Sequence, residues 1–359
     1  MTEAPSEENV LVERVGRAGH IILNRPRAIN ALSHDMVRTF AKALTRWEQD
    51  DAVGAVVVSG AGERGLCAGG DIRSIYESAE GGDGKAAADF WRDEYVLNAR
   101  IARSAKPYVA IMDGITMGGG VGIAAHGSVR VVTERSTIAM PETGIGFIPD
   151  VGGTYLLGRA PGELGTHLAL TGSPIGARDA LLCDLADIFV PSARIADFSA
   201  ALADLDIEDA IQQYASPAPE GKLAAQRAWI DACYAADTVE EILERLRASG
   251  EPEAIAAADR IAANSPTAVK VTLESLRRAR RLGSLEDVLD QEYRVSCAAL
   301  SSPDLVEGIR AQVVHKDRTP HWNPPTLAEV TAQDVERFFS PLGDLELGLG
   351  STTTPQELW

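Results

Sequence analysis

Two carboxylates, Glu142 and Asp150, lie in the stretch Met140-Pro-Glu-Thr-Gly-Ile-Gly-Phe-Ile-Pro-Asp-Val-Gly-Gly153, each directly after a proline and with no Lys or Arg between them. Carboxylates without a basic neighbour, in an apolar and glycine-rich run, are poor candidates for a surface ion pair. If both approach one pocket, desolvation and mutual repulsion raise the pKa of one of them, so a single residue type supplies both a base and an acid. Helix N-capping by Asp150, ahead of Val151-Gly-Gly-Thr, is the plainer alternative. Two glycine-rich loops precede this segment, Gly60 to Asp71 and Gly114-Ile-Thr-Met-Gly-Gly-Gly-Val-Gly122, each after an apolar strand. Glycines there let main-chain amides approach a ligand closely, and a helix starting inside the second run adds its positive dipole end. Together the loops can direct two N–H donors at one carbonyl oxygen, the geometry of an oxyanion hole, with Gly70 and Gly119 as the donors.

Other chemistries fit less well. Gly120-Val-Gly-Ile-Ala-Ala125 satisfies G-x-G-x-x-A, yet only Ala125-His126-Gly127 separate it from the strand near Val129, which leaves no room for the helix of a dinucleotide fold. Gly81-Gly-Asp-Gly-Lys85 lacks both the first glycine and the hydroxyl residue of a P-loop. None of the 6 histidines falls in a metal or triad arrangement, and no G-x-S-x-G elbow occurs, so Ser/His/Asp hydrolysis is disfavoured and neither a metal nor a tightly bound cofactor is expected. Cys67, Cys183, Cys233 and Cys297 are widely separated and read as reduced structural thiols.

The elements that must position these groups alternate strand and helix through about residue 190, an α/β layer pattern. Strands are expected at Val10–Val15, His20–Leu23, Val53–Ser59, Tyr108–Met112, Val129–Thr133 and Thr137–Ala139, with helices from Ser33, as N-cap, to Trp47 and from Phe90 to Arg103. Residues 77 to 88 read as a mobile lid. Beyond Val190 only helical segments are evident, about 196–204, 222–235, 238–248, 252–263, 267–281 and 284–300, before a Pro-, Thr- and Gly-rich tail. The expected division is a core over 10–190, a helical region over 191–320 and a peripheral tail over 321–359. Arg277-Arg-Ala-Arg-Arg281, late in one helix, reads as a solvated basic face that complements the helix dipole.

Of 359 residues, 45% are hydrophobic and 24% charged, a globular balance that supports a sizeable core. A formal net charge of −18 argues against nucleic acid, because phosphate binding needs clustered cations. No stretch approaches the roughly 18 apolar residues of a membrane helix, and the N-terminus Met-Thr-Glu-Ala-Pro-Ser-Glu-Glu carries no signal or transit pattern. A cytoplasmic protein that binds neither membrane nor nucleic acid is the expectation.

Beyond these features, Leu23-Asn-Arg-Pro-Arg-Ala-Ile-Asn-Ala-Leu32, Cys67-Ala-Gly-Gly-Asp-Ile-Arg73, the Gly114–Gly122 run and Met140-Pro-Glu-Thr resemble the crotonase, or enoyl-CoA hydratase/isomerase, superfamily. Pro107 to Gly122, Ala139 to Gly153, Asn264-Ser-Pro-Thr267, Gln291-Glu-Tyr-Arg294, Glu307-Gly-Ile-Arg310 and His315-Lys-Asp-Arg318 are similar to its 3-hydroxyisobutyryl-CoA hydrolase branch, so the resemblance spans roughly residues 10 to 345. It implies a crotonase-like spiral of ββα repeats with an α-helical C-terminal region, and an acyl-CoA substrate whose thioester carbonyl lies between Gly70 and Gly119. It implies hydrolysis of a short branched 3-hydroxyacyl thioester, as in valine breakdown, with Glu94, Gly119, Glu142 and Asp150 contacting the substrate. By helix pattern alone Glu94 reads as solvent-facing. Arg73 and Lys316 are the candidates for the CoA phosphates, Arg25 and Arg27 weaker ones. A homo-oligomer is open, since superfamily members commonly form trimers or hexamers. One departure bears on the reaction: two-glutamate hydratases carry an acid at the position held here by Gly122. Adding water across a double bond needs two groups, one for water and one for the α-carbon, so its loss weakens hydration, which remains the alternative.

Overall fold

The computed structural model describes residues 8–350; the first seven residues, which bear most of the reading on targeting, and the last nine of the tail lie outside them. Strands β1 (Val10–Val15) and β2 (Ala18–Leu23) form an antiparallel hairpin. Then β3 (Ala55–Gly60), β5 (Tyr108–Met112), β7 (Val129–Val132) and β9 (Ile188–Phe189) add in parallel, giving the order β1-β2-β3-β5-β7-β9. The runs Ala55-Val-Val-Val58 of β3 and Tyr108–Met112 of β5 are buried throughout, as expected of parallel strands covered on both faces.

A second, smaller parallel sheet is built from β4 (Gly65–Cys67), β6 (Ile115–Met117) and β8 (Thr137–Ala139). The chain passes β3–β4, β5–β6 and β7–β8 in turn, each pair followed by helix, which is the expected spiral of ββα units. Strands β4 and β6 interrupt segments that read as plain glycine loops; at three residues each they are too short for any periodicity to register.

Helix α1 (His34–Gln49) starts where Ser33 Oγ accepts the Met36 amide at 3.3 Å, and its Met36, Val37, Phe40, Leu44 and Trp47 are buried. Residues 77 to 88, expected as a lid, are instead the end of α2 (Ile72–Gly81) and the start of α3 (Lys85–Ala102), broken only at Gly82-Asp-Gly84. The break is organised: Gly84 takes φ +74°, its amide donates to Ser78 O, and Ser78 Oγ accepts the Ala87 amide.

Short helices α4 (Gly119–Ala124), α5 (Gly153–Arg159), α6 (Leu164–Thr171) and α7 (Ala177–Leu182) lead to β9. The helical region comprises α8 (Ile195–Ala201), α9 (Ile207–Tyr214), α10 (Leu223–Tyr234), α11 (Val239–Ala248), α12 (Pro252–Ala263), α13 (Pro266–Ala279), α14 (Leu285–Ala299) and α15 (Pro303–Ile309), the last continuing into a π turn, Arg310–Val314. Helices α9 and α15 were not anticipated; at eight and seven residues they carry barely two turns of pattern. One apolar cluster runs from Val10 through α1, α3, α6 and α10 to α14 and Leu347, so the helices close over the spiral on a shared core. The basic run of α13 is not a solvated face: Arg277 reaches Ala236 O and Asp237, Arg278 pairs with Glu274 and Glu336, and Arg280 with Glu163. Residues 321–350 lie over the helices, where Glu346 pairs with Arg294 at 2.9 Å and Asp290 accepts the Leu349 and Gly350 amides. Among the described residues no helix is long and apolar enough to cross a membrane.

Candidate active site

A cavity of about 380 Å³ opens between the two glycine loops and the helical region, and Gly70, Gly119, Glu94, Glu142 and Asp150 all line it. Its remaining wall is largely apolar, including Ile75, Phe90, Trp91, Ile145, Phe147, Leu305 and Ile309. Trp91 and Phe147 stack on each other within this wall, ring centroids 5.2 Å apart and 12° from parallel.

The glycines sit where the two sheets turn into helix. Leu32 pairs with Gly70 as an isolated bridge, its amide donating to Gly69 O and its carbonyl accepting the Asp71 amide. This pins the first loop while leaving the Gly70 amide without an acceptor among the described residues. Gly119 opens α4, in the first turn where amides have no intrahelical partner. A Cβ placed on Gly119 would lie 3.3 Å from the Gly70 nitrogen and 2.5 Å from Glu94 Oε1, so a side chain there would crowd the Glu94 carboxyl, and the two amides flank one space. A Cβ on Gly118 would likewise meet Glu142 Oε1 at 2.8 Å.

Glu142 begins a 3-10 turn, Glu142–Ile145, directly after β8, and only 7% of it is exposed. Its Oε2 has no partner within the described protein, and neither has Glu94 Oε1. Asp150 does not cap α5, whose N-cap is Gly152 with no side-chain bond; its Oδ2 accepts the Tyr95 hydroxyl at 2.7 Å. The following residues are held from α14: Glu292 accepts the Gly152 amide at 2.6 Å and the Thr154 amide at 2.9 Å, and also binds the Thr154 hydroxyl. Val151, between them, takes φ +53°, an uncommon conformation for a β-branched residue, and His126 Nε2 bonds its carbonyl.

Three carboxyls buried side by side resist ionising together. Burial pushes Asp150 up to about 7, against a lowering hydrogen bond from Tyr95. Burial, then the charge of Asp150, holds Glu94 and Glu142 well above the usual carboxylate range. Loss of one proton from the set opposes loss of the next, so the three carboxyls titrate together and not singly. One carboxylate beside two carboxylic acids is a set that can accept a proton and return one within a single site.

The sequence-predicted cations are not brought into this cavity. Arg73 is exposed on α2 and donates to Val313 O at 3.3 Å, and Lys316 is exposed just past the π turn. Ile72 and Gln312 line the cavity close to each in sequence, so both cations lie on the segments that border its opening. Arg25 is committed to Asp71 at 3.1 Å and to Ala31 O at 2.7 Å, and Arg27 is exposed. Sequence reasoning gave no role to Tyr95, Glu292 or Ser296, and the helix pattern misplaced Glu94, which is only 2% exposed. The signal was present. Glu94 continues the helical stripe of Ala87, Trp91, Leu97 and Ile101, and Glu292 that of Leu285, Leu289 and Ala299, so each carboxylate sits on a buried face.

A family model described as enoyl-CoA hydratase/isomerase matches residues 18–339. The chain is 42% identical to a mitochondrial 3-hydroxyisobutyryl-CoA hydrolase of Danio rerio, over 97% of this chain and 94% of that one, and 41% identical to that of Homo sapiens, over 95% and 90%. Among solved structures it is similar to a carnitinyl-CoA dehydratase from Mycobacterium thermoresistibile, with 57% identity, a TM-score of 0.93 and coverage of 96% and 100%. It is also similar to an enoyl-CoA hydratase from Rhodobacter sphaeroides 2.4.1, with 43% identity, a TM-score of 0.90 and coverage of 95% and 99%. The names differ in reaction but agree in acting on CoA esters, and the matching spiral, paired glycine amides and buried carboxyls agree with them: this chain belongs to the enoyl-CoA hydratase/isomerase family.

Proposed function

We propose that the protein hydrolyses the thioester of a short branched 3-hydroxyacyl-CoA, 3-hydroxyisobutyryl-CoA, releasing the free acid and CoA as in valine breakdown. The thioester oxygen lies between the Gly70 and Gly119 amides, which stabilise the tetrahedral oxyanion; a single such donor is worth about 3–4 kcal/mol of barrier. Glu142 acts at the carbonyl carbon, either taking a proton from attacking water or attacking to form an anhydride that water then opens. The C–S bond breaks as the tetrahedral intermediate collapses, and a protonated carboxyl of the trio supplies the proton to the departing sulfur. Asp150 holds the 3-hydroxyl or assists proton transfer, and Glu94 orients the acyl end. The stacked Trp91 and Phe147 bound the acyl space. Arg73 and Lys316 meet the CoA phosphates outside the cavity, where local cations offset the chain's net charge of −18.

The observation that carries this reading over hydration is the surroundings of Gly122. A Cβ there would lie 2.6 Å from Val151 Cβ and 2.9 Å from Asn98 Nδ2, so the position that holds an acid in two-glutamate hydratases has no space for one. The second reading, hydration or dehydration, is favoured by the names of the two solved relatives. Thiol release from 3-hydroxyisobutyryl-CoA, hydration of crotonyl-CoA and dehydration of carnitinyl-CoA, measured side by side, separate the two. Dominant thiol release supports the proposal; dominant hydration or dehydration without thiol release overturns it.

A further inference from the structure

Tyr95 is wholly buried, lies on α3 one residue beyond Glu94, and points its hydroxyl between two helices and the Asp150 loop. That hydroxyl donates to Asp150 Oδ2 at 2.7 Å and can accept from Ser296 Oγ on α14, also at 2.7 Å; the Glu292 carbonyl, 2.8 Å from Ser296 Oγ, is the competing acceptor for the single serine proton. The Tyr95 ring is fixed edge-on by Tyr293, centroids 6.2 Å apart. The loop itself is tied to α14 one step later through Glu292 and the Gly152 amide. Asp150 is thus gripped from both sides, by its side chain and by the backbone that follows it. Within the described protein its carboxylate receives this one side-chain hydrogen bond, on Oδ2.

We infer that Tyr95 is a positioning residue: its hydroxyl, backed by Ser296, fixes the Asp150 carboxyl so that Oδ2 is occupied and Oδ1 is left to meet the substrate in the cavity. The inference rests on the proposed role of Asp150. A phenol donating to a carboxylate makes a charge-assisted bond, stronger than the bond it makes to a neutral acid, so it favours the ionised form against burial. The other groups around Asp150 oppose that charge or are neutral: Glu94 on α3, Glu142 after β8 and Glu292 on α14 are carboxyls held high by burial, and His126, beside Val151, is pushed down to about 4 by burial. Tyr95 is therefore the side chain whose removal moves Asp150 upward.

The test is the pH dependence of thiol release by Tyr95→Phe, with Ser296→Ala and Asp150→Asn beside it. The expected result for Tyr95→Phe is an acidic limb displaced upward by about one pH unit, with kcat near neutral pH reduced roughly fivefold and KM within about twofold. Ser296→Ala keeps the phenol and moves the limb the same way by less. A Tyr95→Phe profile that superimposes on the parent, even with a lowered Tm, overturns the inference and leaves Tyr95 a packing residue. Should Tyr95→Phe fail to fold, an unmoved limb in Ser296→Ala overturns it equally. Asp150→Asn tells the two levels apart: if it retains full thiol release, the role of Asp150 falls; if it loses activity while Tyr95→Phe does not shift, only the role of Tyr95 falls.

Discussion

Replacing Gly122 by alanine adds a single methyl group at the position that distinguishes this site from a two-glutamate hydratase. The new Cβ would lie 2.6 Å from Val151 Cβ, 2.8 Å from its Cγ2 and 2.9 Å from Asn98 Nδ2. Val151 has little freedom to retreat, because its backbone is already at φ +53°, its carbonyl is bonded by His126 and the next amide is held by Glu292. Overpacking of a close-packed interior costs about 1–3 kcal/mol, whereas alanine in a helix gains about 0.5–1 kcal/mol over glycine. Sterics win, for a net loss of about 1–2 kcal/mol. Gly283→Ala is the control, since nothing lies within 4 Å of the added carbon; it is expected to stay within about 0.5 kcal/mol of the parent. Urea unfolding followed by circular dichroism reads both. Thiol release by Gly122→Ala should fall as well, because Val151 pushes directly on Asp150. Gly122→Glu, with still less room, should unfold more readily and gain no hydration of crotonyl-CoA. A Gly122→Ala protein as stable as the control, or a Gly122→Glu protein that hydrates crotonyl-CoA, would refute the steric reasoning.

Gly119→Ala places a methyl group 2.5 Å from Glu94 Oε1 and 3.3 Å from the Gly70 nitrogen; displacement of the amide pair should lower kcat by about 100- to 1000-fold in a thiol-release assay, with KM changed far less. Stability should also depend on pH with a definite sign. Asp150 is raised from the ordinary 3.8 to about 7, so its contribution is full below the lower value and is lost as pH rises through the higher one. Asp150→Asn cannot lose that proton, so its Tm relative to the parent should rise between about pH 5 and about pH 8, and a constant or shrinking difference would contradict the burial argument. Arg73→Ala removes an exposed cation whose protein bond is to Val313 O; KM for the CoA ester should rise several-fold in low salt and less in high salt, with kcat nearly unchanged.

Much of this site was legible in the residue string because its chemistry depends on close backbone approach. Gly70 and Gly119 announce themselves through glycine runs that follow apolar strands, and Glu142 and Asp150 through the absence of cations around them. Strands Tyr108–Met112 and Thr137–Ala139 were legible to the residue, the first as an apolar run bounded by Pro107 and Asp113. Strands β4 and β6 were not, since three residues inside a glycine loop have no pattern to read. Residues 77–88 misled through composition: glycines and alanines there end one helix and begin another, and a single buried alanine, Ala87, anchors the turn. Helix capping, the plainer alternative for Asp150, is not realised, because Tyr95, distant in sequence, binds its carboxylate instead. The pairing of Arg277, Arg278 and Arg280 with acids on other segments was hidden for the same reason, as tertiary partners leave no local trace.

The most direct measurement is the kcat for thiol release from 3-hydroxyisobutyryl-CoA by Glu142→Gln, with its folding checked by circular dichroism. The side chain keeps its size and its place beneath Gly118 but can neither attack nor take a proton. The expected outcome is a folded protein whose kcat falls by about 1000-fold or more. A folded Glu142→Gln protein that releases thiol at the parental rate would contradict it.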